Sequence, residues 1–276
     1  MRFDSAFASL RPLLDLIFPP RCVSCGRLGA HLCESCLAQA RPIGPDICIR
    51  CGNPLTQRGL CHRCHHDPPD PIRAIRGVFF YQGPIAQGIR SLKYRGVQPL
   101  APILAEPLVD YIRQHPSPID GLVPVPLHPQ RLAERGFNQS ELLASHISQI
   151  LDIPLRTDLL ERIRHTPPQA RLNRTQRLRN TAGAFAPRPG AKLQGETLLI
   201  IDDVATTGAT LRACAEPLKQ LGAGDIWALT VARAHLDAGG NDVAAAASPA
   251  EAFLLWDAQR QQATPDQTAR LFDHRA

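Results

Sequence analysis

Past residue 71 the chain alternates between short apolar runs and stretches with helical periodicity. Four of the runs have the pattern of strands: "AIRGVFFYQG" (74–83), "GLVPVPLHP" (121–129), "LQGETLLIIDD" (193–203) and "DIWALTVAR" (225–233). The third run contains consecutive apolar residues, which is typical of a strand buried on both faces of a sheet. Strands that alternate with helices predict an α/β domain with a mainly parallel sheet.

The stretches between these runs have the apolar spacing of amphipathic helices. Residues 85–114 predict a helix, then a loop "KYRG" (93–96), then a second helix. A further helix is predicted over residues 137–151, where Asn138 can cap the first turn. Another is predicted over residues 207–224, where two glycines provide the stop signal.

Pattern and composition divide the chain into four segments. Residues 1–20 have the spacing of an amphipathic helix, and residues 236–276 have so little pattern that we expect partial disorder. The Pro-rich stretch "HHDPPDP" (65–71) separates a cysteine-rich module, residues 21–70, from the α/β domain, residues 71–235. No run of about 18 apolar residues predicts a membrane span, and the N-terminus does not have the pattern of a signal peptide. We therefore expect a cytoplasmic protein.

Eight of the nine cysteines form four Cys-x-x-Cys pairs: Cys22/Cys25, Cys33/Cys36, Cys48/Cys51 and Cys61/Cys64. Thiols of a cytosolic protein stay reduced, so disulfides are disfavoured, and redox dithiols are the main alternative to a metal. Two such turns supply the four thiolates of a tetrahedral Zn²⁺ site, so the pattern predicts two structural zinc ions. The ninth cysteine, Cys214, lies on the apolar stripe of a predicted helix and is expected in the core.

The pairing of the four turns has two solutions. Short loops favour two sequential sites, residues 22–36 and 48–64, over an interleaved cross-brace in which the first turn pairs with the third. Two zinc ions and eight thiolates lower the formal charge from +6 to about +2, so the basic composition says little about nucleic acid. Zinc ribbons can bind DNA, RNA or protein, or serve only the fold.

The stretch "LLIIDDVATTGAT" (198–210) carries the strongest chemical signal. An apolar strand that ends in two acids resembles the Walker B motif of an ATPase, but its companion phosphate loop is missing: in "GAKLQGET" (190–197), Glu196 replaces the lysine. A Thr-Thr-Gly-Ala-Thr loop that opens a helix can instead surround a phosphate monoester with backbone N–H groups. Asp202 and Asp203 could then accept hydrogen bonds from two neighbouring hydroxyls. A phosphate and a pair of neighbouring hydroxyls, about one sugar-length apart, are the features of a ribose 5-phosphate.

This stretch resembles the phosphoribosyl pyrophosphate (PRPP) loop of type I phosphoribosyltransferases, and within that superfamily the chain resembles the ComF/GntX family of competence-associated proteins. Further matching stretches are residues 81–96, 123–144, 162–180 and 229–233, and the cysteine array resembles the family's double zinc ribbon. The resemblance implies a type I phosphoribosyltransferase fold, a mainly parallel twisted sheet flanked by helices, preceded by a small double zinc ribbon.

The resemblance also implies roles for individual residues. Asp202 and Asp203 would bind the ribose 2′- and 3′-hydroxyls and, with Arg135, form the catalytic set. The remaining PRPP contacts would be Ala205, Thr206, Thr207, Gly208, Ala209 and Thr210 at the 5-phosphate, Arg131, Arg135 and Gly136 at the diphosphate, and Lys93 on the substrate side. Mg²⁺ would accompany PRPP, and the reaction would displace diphosphate from ribose C1 with an acceptor that the sequence does not identify.

Two features leave alternatives open. The basic stretch 162–179 occupies the position of a lid and could close on diphosphate, contact nucleic acid or form a solvated loop; its arginines are Arg162, Arg164, Arg171, Arg174, Arg177 and Arg179. Tyr94 could stack on a base or only pack. Besides a phosphoribosyltransferase in DNA uptake, the chain could be a PRPP sensor that turns nothing over, a single-stranded DNA-binding protein, or a component whose zinc ribbons dock competence proteins such as a DNA translocase.

Overall fold

The computed structural model of the chain describes residues 19–67, 70–165, 181 and 183–234. Three groups of expectations lie outside these residues: most of the N-terminal amphipathic helix, the C-terminal tail, and the lid arginines Arg171, Arg174, Arg177 and Arg179.

In the described residues, two short helices of the cysteine-rich module come before the strands and helices of an α/β domain. In chain order they are α1 (Glu34–Leu37), α2 (His62–His66), β1 (Ala74–Phe80), α3 (Gly83–Arg95), α4 (Leu100–Gln114), β2 (Gly121–Pro124), α5 (Pro129–Arg135), α6 (Gln139–Leu151), β3 (Leu160–Arg162), β4 (Phe185–Pro187), β5 (Leu198–Ala205), α7 (Ala209–Gln220) and β6 (Ile226–Arg233).

The main sheet is parallel, with the strand order β1-β6-β5-β2. The two central strands, β5 and β6, are buried along almost their whole length, which explains why each begins with four apolar residues or more. Strands β3 and β4 form a separate antiparallel pair. Because all four strands of the main sheet run in one direction, their carboxyl ends meet at one edge, where ligands bind in open α/β sheets.

Helices cover both faces of this sheet. On one face α3, α4 and α6 pack around Leu108, Ile147 and Ile201, which are fully buried. On the other face α7 packs against β5, and Cys214 is fully buried there beside Ile200, which confirms the core role expected for this cysteine.

None of the helices in the described part of the chain combines the length and the apolar content that a membrane crossing requires.

One helix boundary differs from the sequence-based expectation. Residues 93–95 were predicted to lie in a loop, but α3 continues through Arg95 and ends at Gly96, whose left-handed backbone (φ 65°) returns its N–H to the Ser91 carbonyl. Lys and Arg favour the last turn of a helix, where they complement its dipole, so only the glycine ends it. The helical position of Lys93 is what directs its side chain to the carboxyl edge of the sheet, as described below.

The cysteine-rich module lies along the outer edge of β1. The Ile43 N–H donates to the Val78 carbonyl, the Phe80 N–H to the Arg41 carbonyl and the Ile75 N–H to the Arg50 carbonyl, each at 2.9 Å. These bonds satisfy backbone groups that an uncovered edge strand would expose. The module is thus bonded to the sheet through main-chain groups.

Candidate functional site

The eight cysteines of the N-terminal module form two groups of four. The first cluster is Cys22, Cys25, Cys33 and Cys36, and the second cluster is Cys48, Cys51, Cys61 and Cys64. Within each cluster the sulfur atoms lie within 4.8 Å of one another, as four ligands of one tetrahedral zinc ion do. The sequential pairing is therefore confirmed, and the interleaved alternative is wrong.

Backbone N–H groups favour the thiolate form of one cysteine in each cluster. The Cys33 N–H donates to Cys22 Sγ at 3.4 Å, and the Cys61 N–H donates to Cys48 Sγ at the same distance. Burial raises the pKa of Cys22, but N–H donors outweigh it and lower the value to about 6. The pKa of Cys48 falls to about 4, first because of the Cys51 side chain and then because of backbone N–H groups. A thiolate is the form that binds zinc.

The acidic pair lies within β5 rather than after it. Asp202 and Asp203 are followed by two more strand residues, and their side chains are 8% and 2% exposed. Asp202 Oδ1 accepts hydrogen bonds from Ser140 Oγ at 2.8 Å and from the Asp203 N–H at 2.9 Å. A buried carboxylate costs stability unless its oxygens have such donors.

The two acids have different electrostatic surroundings. Lys93 Nζ lies 2.5 Å from Asp203 Oδ2. Burial lowers the pKa of Lys93, but attraction to Asp203 and Asp202 outweighs it, so the net shift is upward. Burial, reinforced by repulsion from Asp203, raises the pKa of Asp202 to about 7, while Lys93 and Ser140 act in the opposite direction. Asp202 therefore holds a weakly bound proton near neutral pH.

The 205–210 loop joins β5 to α7 next to these acids. Ala205 ends the strand, Thr206 and Thr210 are partly exposed, and Thr207, Gly208 and Ala209 are buried. Gly208 has φ 78°, and a Cβ there would lie 2.7 Å from Ile75 Cδ1, so the position requires glycine. The loop opens α7, whose first N–H groups have no partner within the helix, and that of Ala209 donates to Thr207 Oγ1 at 3.3 Å.

The loop after β2 contains a short helix, α5, that the sequence did not predict. Pro129 occupies its first turn, and the His128 ring accepts a hydrogen bond from the Gln130 N–H at 3.3 Å. Gly136 ends α5 with φ 81° and is exposed. Asn138 caps the next helix through the Ser140 N–H and also donates to the Val125 carbonyl at 3.0 Å. This second bond fixes the turn that places Ser140 on Asp202.

The arginines of this loop lie near α3. The Arg135 guanidinium donates to Gln139 Oε1 and lies over the Tyr94 ring, 5.8 Å from its centre. Tyr94 itself is 75% exposed. The structure thus brings the last turn of α3, which carries Lys93, together with the last turn of α5. Arg131 is partly buried.

Two domain families match this chain: the double zinc ribbon domain over residues 13–65 and the phosphoribosyl transferase domain over residues 138–242. Competence protein F of Haemophilus influenzae is 29% identical over 226 residues, which cover 78% of this chain and 97% of that protein. The DNA utilization protein YhgH of Escherichia coli is 33% identical over 207 residues, covering 72% and 89%. The chain belongs to the ComF/GntX family.

Other members of the ComF/GntX family agree with this assignment. Competence protein ComFC of Bacillus subtilis is 28% identical over 198 residues, which cover 69% of this chain and 79% of that protein. The resemblance found in the motifs is therefore confirmed, and so is the fold: a phosphoribosyltransferase domain with a parallel sheet and flanking helices, preceded by a double zinc ribbon.

Part of the basic stretch lies within the described residues of this ComF/GntX chain. The Arg162 guanidinium lies over the Phe185 ring, 5.3 Å from its centre. Burial is the main cause that lowers the pKa of Arg162, Cys214 and Asp202 raise it and Arg131 lowers it, so the guanidinium lies within electrostatic range of Asp202. Arg164 is exposed. One arginine of the stretch thus lies close to the site, and a second faces solvent.

Three residues of the site were not identified from the sequence. Ser140 lies in the first turn of the helix predicted over residues 137–151, and its hydroxyl there is the one local signal of a polar role. Arg212 donates to the Thr207 carbonyl at 2.8 Å and to Asp70 Oδ2 at 2.5 Å. Asp70 lies about 140 residues before this arginine, so no local pattern could reveal the pair.

Proposed function

We propose that the chain binds PRPP at the carboxyl edge of β5. The observation that supports this best is the pair of adjacent buried carboxylates directly before a glycine-bearing loop that opens a helix. Asp202 and Asp203 accept hydrogen bonds from the ribose hydroxyls, and the N–H groups of the 205–210 loop bind the 5-phosphate. The phosphoribosyl transferase family match supports the same assignment.

The charges of the site fit this ligand. Lys93 Nζ pairs with Asp203 Oδ2, and two ribose hydroxyls give Asp202 and Asp203 further donors of the kind that buried carboxylates need. The Arg131 and Arg135 side chains, with the Gly136 backbone, lie on the loop that binds diphosphate in this proposal. Carboxylate oxygens and phosphate oxygens are the ligands Mg²⁺ prefers, so the donor set fits the magnesium that accompanies PRPP.

The reaction that follows is the displacement of diphosphate from ribose C1 by an unidentified acceptor. Mg²⁺, which the carboxylates of Asp202 and Asp203 would help to hold together with oxygens of the ligand, would supply positive charge that neutralises the leaving diphosphate. Asp202 and Asp203 hold the ribose while positive charge develops on its ring, and their negative charge stabilises that state. Arg135 stabilises the leaving diphosphate, and Arg162, which lies within electrostatic range of Asp202, adds positive charge near the site.

The names of the relatives suggest the process. Competence protein F and the DNA utilization protein YhgH suggest that this chain acts in DNA uptake or in the use of incoming DNA. Reduced zinc thiolates are consistent with the cytoplasm as the location. A PRPP sensor that turns nothing over would use the same binding residues and remains the competing function.

Calorimetric titration of the zinc-loaded protein with PRPP, with and without Mg²⁺, tests the proposal. We expect Mg²⁺-dependent binding that Asp202→Asn with Asp203→Asn abolishes. Asp158→Asn is the control, because its exposed carboxylate pairs with Arg156 at the surface. Absence of binding in the unsubstituted protein, or equal binding in the double variant, would refute the assignment. Binding without diphosphate release across a screen of bases and amines would leave the sensor.

A further inference from the structure

The second cysteine cluster faces two guanidinium groups that lack their full set of partners. Arg233, the last residue of β6, is 1% exposed, and within the described residues its Nε and Nη1 have no hydrogen-bond acceptor. Nε and Nη2 of Arg63 likewise have no hydrogen-bond acceptor among the described residues, although Arg63 Nε forms an ion pair with Asp67 Oδ2 at 3.6 Å. Buried guanidinium donors without acceptors are costly, so something must balance them.

The charges around Arg233 indicate what balances it. The groups that interact with it electrostatically are the thiols of Cys51 and Cys48 and the guanidinium groups of Arg63 and Arg212. A zinc ion held by four thiolates has a formal charge of about −2, and its sulfur atoms accept N–H hydrogen bonds. The filled second cluster therefore neutralises a group of arginines that would otherwise repel one another in a buried place.

The first cluster has different surroundings. The groups that act on Cys22, Cys33 and Cys36 are serines and the cluster's own cysteines. Cys25 is exposed, whereas Cys48, Cys51 and Cys64 are all buried. The first cluster thus packs on the α/β domain through apolar contacts, since Cys22 and Cys36 belong to the core beside α3 and α4, whereas the second cluster is the one that faces buried arginines.

A continuous path of contacts joins the second cluster to the 205–210 loop. Gly52, next to Cys51, packs so closely on β1 that a Cβ there would lie 2.3 Å from the Ile75 carbonyl oxygen. The side chain of the same Ile75 contacts the loop: its Cδ1 would lie 2.7 Å from a Cβ at Gly208. Ile75 is therefore held between the zinc module and the loop, with no space on either side.

A polar path runs beside it. Asp70, in the segment that connects the zinc module to β1, accepts from Arg212 Nε at 2.5 Å, and the same guanidinium donates to the Thr207 carbonyl at 2.8 Å. Arg212 also lies within electrostatic range of Arg233. Both members of the Asp70–Arg212 pair are largely buried, with 7% and 20% of their side chains exposed.

We propose that the second cysteine cluster, through Arg233, Ile75 and the Asp70–Arg212 pair, fixes the conformation of the 205–210 loop. These are positioning residues, because none of them touches the proposed ligand. The inference rests on the proposed function only where it extends to PRPP: loss of the second zinc site weakens PRPP binding, and loss of the first does not. The zinc module is then part of the nucleotide site rather than only a docking surface.

Two matched variants test the coupling without any ligand. Cys33→Ser and Cys61→Ser each remove a partly buried third ligand whose N–H donates to the first sulfur of its own cluster at 3.4 Å. We expect each variant to lose one zinc ion and only Cys61→Ser to accelerate hydrogen exchange at amides 207–212. Equal exchange in the two variants, whether unchanged or accelerated, would overturn the proposal.

Variants that keep every cysteine separate coupling from unfolding. Arg233→Met should accelerate zinc release from the second site to a chelator, with the first site unchanged as an internal control. Arg212→Gln should accelerate exchange at amides 207–212 while both zinc ions remain bound, and Arg212→Lys should restore part of the protection. Unchanged zinc release in the first variant or unchanged exchange in the second would contradict the path.

Titration with PRPP then extends the test to the ligand. We expect Cys61→Ser and Arg212→Gln to weaken PRPP binding by at least about tenfold, and Cys33→Ser to leave it unchanged. If the unsubstituted protein does not bind PRPP, the proposed function fails, while the exchange data still decide whether the cluster fixes the loop. If exchange changes but PRPP affinity does not, the coupling stops short of the ligand and the proposal is overturned in its extended form.

Discussion

Asp202→Asn is expected to make the protein more stable at alkaline pH while it damages the site. The asparagine keeps a carbonyl oxygen where Asp202 Oδ1 accepts from Ser140 Oγ and from the Asp203 N–H. It removes a charge from a position that is 8% exposed and next to a second carboxylate. The folded state therefore no longer has to ionise a buried acid as the pH rises.

The magnitude follows from the shift in pKa. Folding raises the pKa of Asp202 from 3.8 to about 7, and each unit corresponds to about 1.4 kcal/mol. Because the folded state binds the proton more tightly, the stabilisation is complete below pH 3.8 and is lost as the pH rises through about 7. The total loss is about 4 kcal/mol, of which about 2 kcal/mol falls between about pH 5.5 and about pH 7.

Denaturant unfolding of the zinc-loaded proteins between about pH 5.5 and about pH 8.5 measures this effect. We expect the difference in free energy of unfolding between Asp202→Asn and the unsubstituted protein to grow by about 2 kcal/mol up to neutral pH and then to level off. Zinc release affects both proteins alike and cancels in the difference. Asp158→Asn is the control, since Arg156 lowers the pKa of Asp158 and that carboxylate stays ionised throughout.

The reasoning is refuted if the difference in free energy of unfolding between the two proteins does not change with pH. Such a result would mean that Asp202 is ionised in the folded state at every pH tested. A difference of opposite sign would show that Lys93 and Ser140 dominate over burial at this carboxylate. Either outcome would also remove the basis for a proton that Asp202 holds near neutral pH.

Three further substitutions test the geometry of the site. Gly208→Ala should lower the free energy of unfolding by about 1–3 kcal/mol and weaken PRPP binding. Gly190→Ala is the control, because Gly190 has φ 83° and open space around it, so this variant should show only the smaller cost of the backbone conformation. If thermal unfolding shows equal losses of stability in the two variants, the Ile75 contact is not the cause. Lys93→Met should cost about 3 kcal/mol or more, because it leaves Asp203 buried and unpaired, and a smaller loss in denaturant titration would mean that water reaches Asp203. Asn138→Ala should cost about 1–2 kcal/mol through the lost helix cap and the lost bond to the β2 loop, and an unchanged melting temperature would contradict this account.

Sequence patterns predicted the parts of this molecule that depend on neighbours along the chain. Strands β5 and β6 each begin with a run of at least four apolar residues, and the zinc clusters are pairs of turns separated by short loops, so local patterns were sufficient to predict them. The Asn138 cap was predicted for the same reason and is confirmed by its bond to the Ser140 N–H. The "KYRG" loop was predicted wrongly, because one glycine ends a helix without breaking the turn before it.

The rest of the site depends on contacts between distant residues. The Lys93–Asp203 and Asp70–Arg212 pairs each join residues that are more than about 100 positions apart, and neither has a signature in composition or periodicity. Arg233 is the last residue of the stretch 229–233 that resembles the family. Its burial beside Cys51, however, follows only from the way the zinc module lies against β1. The roles of such residues depend on the packing of whole elements, which a single sequence does not specify.

Several buried charges of this fold adjoin the segment from Asp202 to Thr210. Asp203 with Lys93, Asp70 with Arg212, and Arg233 with the second cysteine cluster each carry a desolvation cost that apolar residues would avoid. A fold that needed only stability would gain nothing from three such groups around one segment. Their coincidence there is better explained by a polyanionic ligand that is bound by the loop and by a metal module that holds the loop in place. This is why the two zinc sites should differ in their effect on ligand binding.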